Sequence, residues 1–154
     1  MVGGCHGSKR PGPKPPSLPR LSFRALDAEQ RRLVADYQPV SQGLTAYELA
    51  YRDWREGRLT RAGLGTRARA FRPVVTVALA RVRGDRATGS DAVPKAFLIA
   101  ALEARRRALA MQPGSTSYRR AWNRSVVDAR RALTRMQDIR DRARLIPLPE
   151  DSIS

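Results

Sequence analysis

The sequence predicts an all-α domain, a bundle of four to five helices that follows a disordered basic arm. Apolar residues between positions 27 and 144 recur at spacings of three and four, as they do on one face of a helix. Capping residues, glycines and prolines divide this stretch into helix-sized segments. We therefore divide the 154 residues into a basic arm over 1–22, a helical domain over 23–146 and a short tail over 147–154.

The arm over residues 1–22 is rich in glycine, proline and basic residues, and it contains almost nothing to bury. Such a segment cannot offset the entropy lost on ordering, so we expect it to be disordered when free. Its candidate phosphate contacts are Lys9, Arg10 and Lys14. The alternative is a leader segment without a role.

Two helices are predicted in the first part of the domain. Asp27 is a suitable N-cap for a helix that Pro39 should end. Thr45 and Glu48 form a capping box and predict a second start, and Gly57 should follow the end of that helix.

The middle of the chain gives weaker signals. Residues 59–70 contain few apolar residues but hold Gly63 and Gly65, which predicts a loop or a frayed turn. Residues 73–83 begin with a proline and place three apolar residues on one face, so we predict a helix there. A strand is the alternative, because residues 74–77 are rich in valine, but no second strand-like run is present to pair with it. Residues 84–90 should form a polar loop.

The next helix should be capped by Asp91 and run to about Met111, with Pro94 in its first turn. Residues 96–102 are apolar all round, which is typical of a segment at the centre of a core. Pro113 and Gly114 predict a break after this helix.

The last helix is expected from about residue 116 to 144 and has two distinct faces. Its apolar seam consists of Trp122, Val126, Ala129, Leu133, Met136 and Ala143. Its basic face, which we call the arginine stripe, consists of Arg124, Arg131, Arg135 and Arg142. The stripe residues lie seven, four and seven positions apart, so they follow one line along a helix. We predict that the seam is buried and that the stripe meets solvent or a partner.

The charge of the chain predicts an anionic partner. Twenty-seven of the thirty cationic side chains are arginine, and against fourteen acidic residues they give a formal net charge of +16. Guanidinium groups bind phosphates with paired hydrogen bonds, and nucleic acids are the commonest polyanions in a cell. We therefore expect a nucleic-acid partner. DNA is favoured over RNA, but the charge does not distinguish between them. A solvated surface without a role and an acidic protein or membrane partner are the alternatives.

The candidate nucleic-acid-binding residues of the helical domain form three groups. These are the end of the core helix (Arg105, Arg106 and Arg107), the start of the last helix (Arg119 and Arg120) and the arginine stripe. Tyr118 and Trp122 are interleaved with the second group, and aromatic rings among arginines can stack on exposed bases. Two simpler interpretations remain: cations at a helix end complement its dipole, and Trp122 can begin the buried seam. Arg67, Arg69 and Arg72 form a further cluster.

The sequence predicts neither an enzyme nor a cofactor. Cys5 and His6 are the only strong soft metal ligands, whereas a structural zinc site needs four, and the helical domain has no histidine to act as a base. The carboxylates are interleaved with arginines, as on an ordinary surface, although an enzyme for an anionic substrate stays an alternative. One cysteine and the lack of a membrane-length apolar run favour a cytoplasmic protein without a membrane partner.

Residues 26–40, reading LDAEQRRLVADYQPV, resemble the start of the first conserved region of sigma-70-type RNA polymerase sigma factors. In that family a similar helix introduces a helical, promoter-recognising domain. The resemblance implies a role in transcription, with RNA polymerase as a partner. The acidic helix by which the family grips polymerase has no counterpart after Val40, so no functional residue is carried over.

Together these observations predict a non-enzymatic, helical, nucleic-acid-binding protein, with a role in transcription implied by the resemblance. The alternative is a structural or adaptor protein of a phage or a larger assembly. In that case the apolar seam of the last helix would dock on a partner helix, and the arginines would meet acidic side chains.

Overall fold

A computed structural model describes residues 28–145 of the chain. In this range four α-helices follow one another: α1 (Ala28–Arg55), α2 (Arg61–Gly84), α3 (Ala92–Leu109) and α4 (Thr116–Leu145). A short 3-10 turn, Gly89–Asp91, precedes α3. The predicted all-α bundle is confirmed. The predicted arm over 1–22, the cap at Asp27 and the tail over 147–154 lie outside the described residues.

Helix α1 runs through Pro39, so the predicted stop there and the predicted new start at Thr45 are both wrong. The buried line of α1 continues across the proline at helical spacing: Leu33, Tyr37, Val40, Tyr47 and Ala50. Pro39 and Ala35 are both exposed, so water can reach the carbonyl that the proline leaves without a donor. Burial of the apolar line thus outweighs the local cost of the proline.

Helix α2 begins at Arg61, inside the stretch predicted as a loop, and that prediction is wrong. Thr60 is the N-cap, and its Oγ1 accepts a hydrogen bond of 3.0 Å from the backbone N–H of Gly63. The predicted helix over 73–83 is confirmed, but Pro73 lies in the helix interior and not in its first turn. Like Pro39, Pro73 is exposed, and so is Arg69, whose carbonyl it leaves without a donor.

The connection between α2 and α3 is fastened to the start of α1. The carboxylate of Glu29 accepts hydrogen bonds from the backbone N–H and the hydroxyl of Thr88, at 2.8 and 2.9 Å. Gln30 donates from Nε2 to the buried carboxylate of Asp91 at 2.9 Å. Asp91 occupies the N-cap position of α3 as predicted, but its side chain makes no capping hydrogen bond. Its carboxylate instead helps to fasten α1 to α3.

Helices α3 and α4 pack side by side and supply much of the core. The predicted core segment of α3 contributes Leu98, Ala101 and Leu102, although Ala96 is exposed. The buried line of α4 is Tyr118, Ser125, Ala129, Ala132 and Met136. Val126 and Leu133, which were predicted for the seam, are only half-buried. The predicted seam therefore overlaps the observed buried face of α4, but it is rotated around the helix towards Val126 and Leu133.

Candidate nucleic-acid interface

Helix α4 presents the arginine stripe to solvent. The helix carries nine arginines against three aspartates. All four stripe residues, Arg124, Arg131, Arg135 and Arg142, are exposed. At 1.5 Å per residue they span about 27 Å, which is long enough to follow several phosphates of a backbone.

Two of the stripe arginines are held by one aspartate. The side chain of Asp128 is only 2% exposed, and its Oδ2 accepts a hydrogen bond of 2.9 Å from Nε of Arg124. Its Oδ1 lies 3.6 Å from Nη1 of Arg131. Within the described residues Arg135 and Arg142 form no ion pair, although Asp138 lies three positions after Arg135 and four before Arg142 on the same helix. Asp128 therefore compensates part of the charge of the first two stripe arginines, whereas Arg135 and Arg142 form no ion pair among the described residues.

A groove of about 500 Å³ adjoins the stripe between α3 and α4. Its apolar floor is formed by Val93, Phe97 and Val127, and its rim includes Arg131 and Arg135. Val93 and Val127 remain 39% and 43% exposed. The guanidinium of Arg131 lies 6.0 Å from the centre of the Phe97 ring, within the range of a cation–π contact. The groove thus combines an apolar surface with a positively charged edge.

The three arginines predicted as one cluster at the end of α3 do not form one surface. The prediction that Arg105 binds nucleic acid is wrong. Arg105 is 1% exposed, so its side chain cannot contact a phosphate. Its Nη1 donates to the hydroxyl of Tyr37 at 3.0 Å, and its guanidinium lies 5.2 Å from the centre of the Trp122 ring. Arg106 is half-buried and Arg107 is exposed.

The remaining candidate binding residues are either exposed on α2 and α4 or lie outside the described residues. Arg119 and Arg120 are exposed in the first turns of α4, as a binding role requires. The further cluster of Arg67, Arg69 and Arg72 is exposed on α2. Lys9, Arg10 and Lys14, the candidates of the arm, lie outside the described residues.

An aromatic cluster joins α1 to the start of α4. Six of the nine aromatic residues of the chain belong to it: Tyr47, Tyr51, Trp54, Phe71, Tyr118 and Trp122. The rings of Tyr51 and Tyr118 are nearly parallel, at 11° with centres 5.5 Å apart. Tyr118 and Trp122 are also nearly parallel, at 14° and 5.8 Å. Three rings therefore form one stacked column that crosses from α1 to α4.

This cluster opens to solvent in a pocket of about 260 Å³, which we call the aromatic pocket. It is lined by Tyr47, Glu48, Tyr51, Arg55, Tyr118, Arg119, Trp122 and Asn123. The sequence showed aromatic residues at helical spacing in both segments. It did not show that they meet, because the predicted break at Pro39 hid the length and direction of α1.

The floor of the pocket is polar but uncharged. The hydroxyl oxygens of Tyr47 and Tyr118 lie 3.1 Å apart and share a hydrogen bond. Burial is the main cause that raises the pKa of both phenols, and the contact with Tyr47 raises the pKa of Tyr118 further. Both hydroxyls therefore stay protonated at neutral pH, and a neutral, flat ligand meets no charge at the bottom of the pocket.

Comparisons with family models, with curated proteins and with solved structures found no match to this chain. The resemblance of residues 26–40 to sigma factors therefore stays a prediction. None of the helices in the described part of the chain is long and apolar enough to cross a membrane.

Proposed function

We propose that this protein is a non-enzymatic nucleic-acid-binding protein and that the arginine stripe of α4 is its main contact with the phosphate backbone. Arginine binds phosphate through a rigid fork of donors and keeps its charge at every physiological pH. Contacts of this kind give affinity and register along a strand without reading its sequence.

One observation carries the proposal: four arginines that are regularly spaced in the sequence are all exposed on one helix. Asp128 and Asp138 lie along the same line of the helix, but the arginines outnumber them two to one there, and a helix that only needed to be solvated would not require this excess. Arg120, four positions before Arg124, extends the basic surface towards the start of α4, whereas Arg119 is exposed on another side of the helix, at the aromatic pocket. The stripe is therefore continuous enough to contact several phosphates at once.

A role in transcription, with RNA polymerase as a further partner, is a more specific form of the same proposal. It is supported only by the resemblance of residues 26–40 to the sigma factors. DNA is the nucleic acid that this form of the proposal favours.

A salt titration tests the proposal. The affinity for a labelled DNA duplex, a labelled DNA single strand and an RNA single strand would be measured at about 50 and about 300 mM salt. Each phosphate contact releases condensed counterions, so we expect log K to fall steeply with log salt, with a slope of about 0.7–0.9 per contact. A flat salt response, or no binding at the lower salt concentration, would contradict the proposal.

The groove beside the stripe supports a second candidate function, an adaptor that binds an acidic protein segment. The sequence predicts the apolar seam of α4 as the docking surface of such an adaptor, but Ala129 and Met136 of that seam are buried within this chain. The exposed floor of the groove, Val93 and Val127, would take its place. Such a partner would remain bound after nuclease treatment, whereas a nucleic acid would be lost.

A further inference from the structure

We propose that the aromatic pocket receives one unstacked nucleobase, so that the protein prefers single-stranded nucleic acid to duplex. This inference rests on the proposed function and names the part of the nucleic acid that enters this site. The pocket lies between α1 and α4 and is walled by the rings of Tyr51, Tyr118 and Trp122.

The size and the walls of the pocket suit a base. A volume of about 260 Å³ is just below the range of sites for drug-sized ligands, so a single flat ring system fits better than a larger molecule. Tyr51 and Trp122 are half-buried, so part of each side chain is open to the solvent, while one face of each ring is already stacked on Tyr118. Stacking on such rings contributes about 1–3 kcal/mol per base and tolerates any base, because every base has a π-face.

The rim of the pocket carries the groups that a nucleotide needs. Arg55 and Arg119 are exposed on opposite helices, one on α1 and one on α4, where they can hold the phosphates on either side of the base. Glu48 can accept from an exocyclic amino group, and Asn123 can donate and accept at a base edge. The carboxylate of Glu48 also repels a phosphate, which favours entry of the base over entry of the backbone.

The pocket is preorganised by contacts that its lining side chains make inside the domain. The guanidinium of Arg105 lies over the Trp122 ring and supports it from inside the domain. The hydrogen bond between the hydroxyls of Tyr47 and Tyr118 fixes the spacing of α1 and α4. A base that enters a rigid site orders few protein side chains, so more of the stacking energy is available for binding.

The pocket and the stripe therefore select different features of the ligand. The stripe requires phosphates, which single strands and duplexes both carry. The pocket requires the face of a base, which is already stacked and paired inside a duplex. We expect single strands to bind more tightly than duplexes of the same length, through a contribution that changes little with salt.

The experiment compares two single-stranded oligomers of equal length and equal phosphate number, one with normal bases and one whose central nucleotides are abasic. Affinity is measured with labelled oligomers, and quenching of tryptophan emission is followed in parallel. The chain has only two tryptophans, Trp54 and Trp122, and both belong to the aromatic cluster, so their emission reports on the pocket. We expect the oligomer with bases to bind about tenfold more tightly and to quench the emission more strongly.

A matched pair of variants assigns the effect to the pocket. Tyr51→Leu removes one wall but keeps an apolar side chain, and no hydrogen bond is lost because the Tyr51 hydroxyl makes none in the described structure. Phe97→Leu removes a ring from the groove beside the stripe and serves as the control. We expect Tyr51→Leu to abolish the preference for the oligomer with bases and to leave the salt slope unchanged, while Phe97→Leu keeps the preference. Circular dichroism and urea unfolding confirm that both variants fold.

Equal affinity for the two oligomers, with a steep salt dependence for both, would overturn the assignment of the pocket and leave the proposed function standing. Preference that survives in Tyr51→Leu would also overturn it. Failure of both oligomers and of the duplex to bind at about 50 mM salt would overturn the proposed function together with the inference.

Discussion

Arg105 shows how the surroundings of a residue decide its role. Its neighbours in the sequence, Arg106 and Arg107, have the same chemistry, yet only Arg105 is buried. A buried cation is costly unless its donors are satisfied, and here the hydroxyl of Tyr37 and the π-face of Trp122 replace part of the lost water, while the buried Nε of Arg105 has no acceptor among the described residues. Arg105 therefore links three helices, α1, α3 and α4, instead of contacting a ligand.

The hydroxyl of Tyr37 should contribute to stability because it accepts from this buried guanidinium. Tyr37→Phe removes the acceptor and leaves the charge of Arg105 less well satisfied. We expect the free energy of unfolding to fall by about 1.5–3 kcal/mol, the usual range for a hydrogen bond to a charged group. Urea unfolding monitored by circular dichroism measures the change.

Tyr51→Phe is the matched control for this measurement, because it removes a hydroxyl that makes no hydrogen bond in the described structure. We expect the unfolding free energy of this variant to stay within about 0.5 kcal/mol of the parent protein. Equal effects of the two substitutions would contradict the role assigned to the contact between Tyr37 and Arg105.

Asp85 should make stability depend on pH. Burial, followed by the neighbouring carboxylate of Asp36, raises the pKa of Asp85 from 3.8 to about 6, against the opposing effect of Arg32 and Lys95. The folded state therefore favours the protonated carboxyl. The contribution of Asp85 is greatest below about pH 4 and is lost as the pH rises towards 6.

Asp85→Asn keeps the shape of the side chain and removes its charge. We expect this variant to be more stable than the parent protein at pH 7, by on the order of 1–3 kcal/mol, and to gain little at pH 4. Thermal or urea unfolding at both pH values measures the difference. A variant that is less stable than the parent at pH 7 would show that the charged carboxylate is favourable in the fold.

At the scale of the helices, the close approach of α1 and α2 depends on Gly43. A Cβ built on Gly43 would lie 2.7 and 2.8 Å from two ring carbons of Phe71, closer than real contacts allow. Phe71 is 5% exposed and its ring also stacks on Tyr47, so it has little room to move. Glycine in a helix interior is normally unfavourable, but here its absent side chain permits the packing.

Gly43→Ala should destabilise the protein even though alanine is the better helix former. We expect a loss of about 1–3 kcal/mol from overpacking, which exceeds the gain in helix propensity. Gly84→Ala is the control, because nothing lies within 4 Å of the added methyl group at the end of α2. That variant should be unchanged or slightly more stable in the same unfolding assay, and a loss as large as that of Gly43→Ala would contradict the account.

The sequence predicted helices correctly wherever local and tertiary preferences agree, and it failed where they conflict. The long amphipathic pattern of α4 gave both its limits and its exposed arginines, because one helix face needs no partner to be recognised. Pro39 and Gly63 were read as breaks, since their local preferences oppose a helix. Burial of the lines through Leu33 and Val40 on α1 and through Leu64 and Phe71 on α2 outweighs these preferences.

The arginine stripe and the aromatic pocket also differ in how far the sequence predicts them. The arginine stripe lies within one helix, so its spacing alone predicted it. The aromatic pocket combines residues from α1 and α4 that are about 70 positions apart, such as Tyr47 and Tyr118. No local pattern specifies which helices cross, and the pocket therefore became visible only in the folded chain.

At the scale of the whole molecule, the positive charge is uneven. Helix α1 carries four arginines and four acidic residues, so its formal charge is zero. Helix α2 carries six arginines and no acidic residue, and α4 carries nine arginines and three aspartates, so each has an excess of six. The excess positive charge of both helices attracts a polyanion at long range. The proposed direct contacts with phosphates, however, belong to the stripe on α4.

Substitution of arginine pairs on these two equally basic helices tests whether the stripe on α4 binds the phosphate backbone. The salt dependence of single-strand and duplex binding would be measured for Arg131→Ala/Arg135→Ala on α4 and for Arg72→Ala/Arg81→Ala on α2, after unfolding assays confirm that both proteins fold. Loss of the α4 pair should weaken binding at least tenfold and reduce the salt slope by about two, and loss of the α2 pair should change both much less. Equal losses from the two pairs would contradict the account, because they would show that total charge, and not the stripe on α4, binds the nucleic acid.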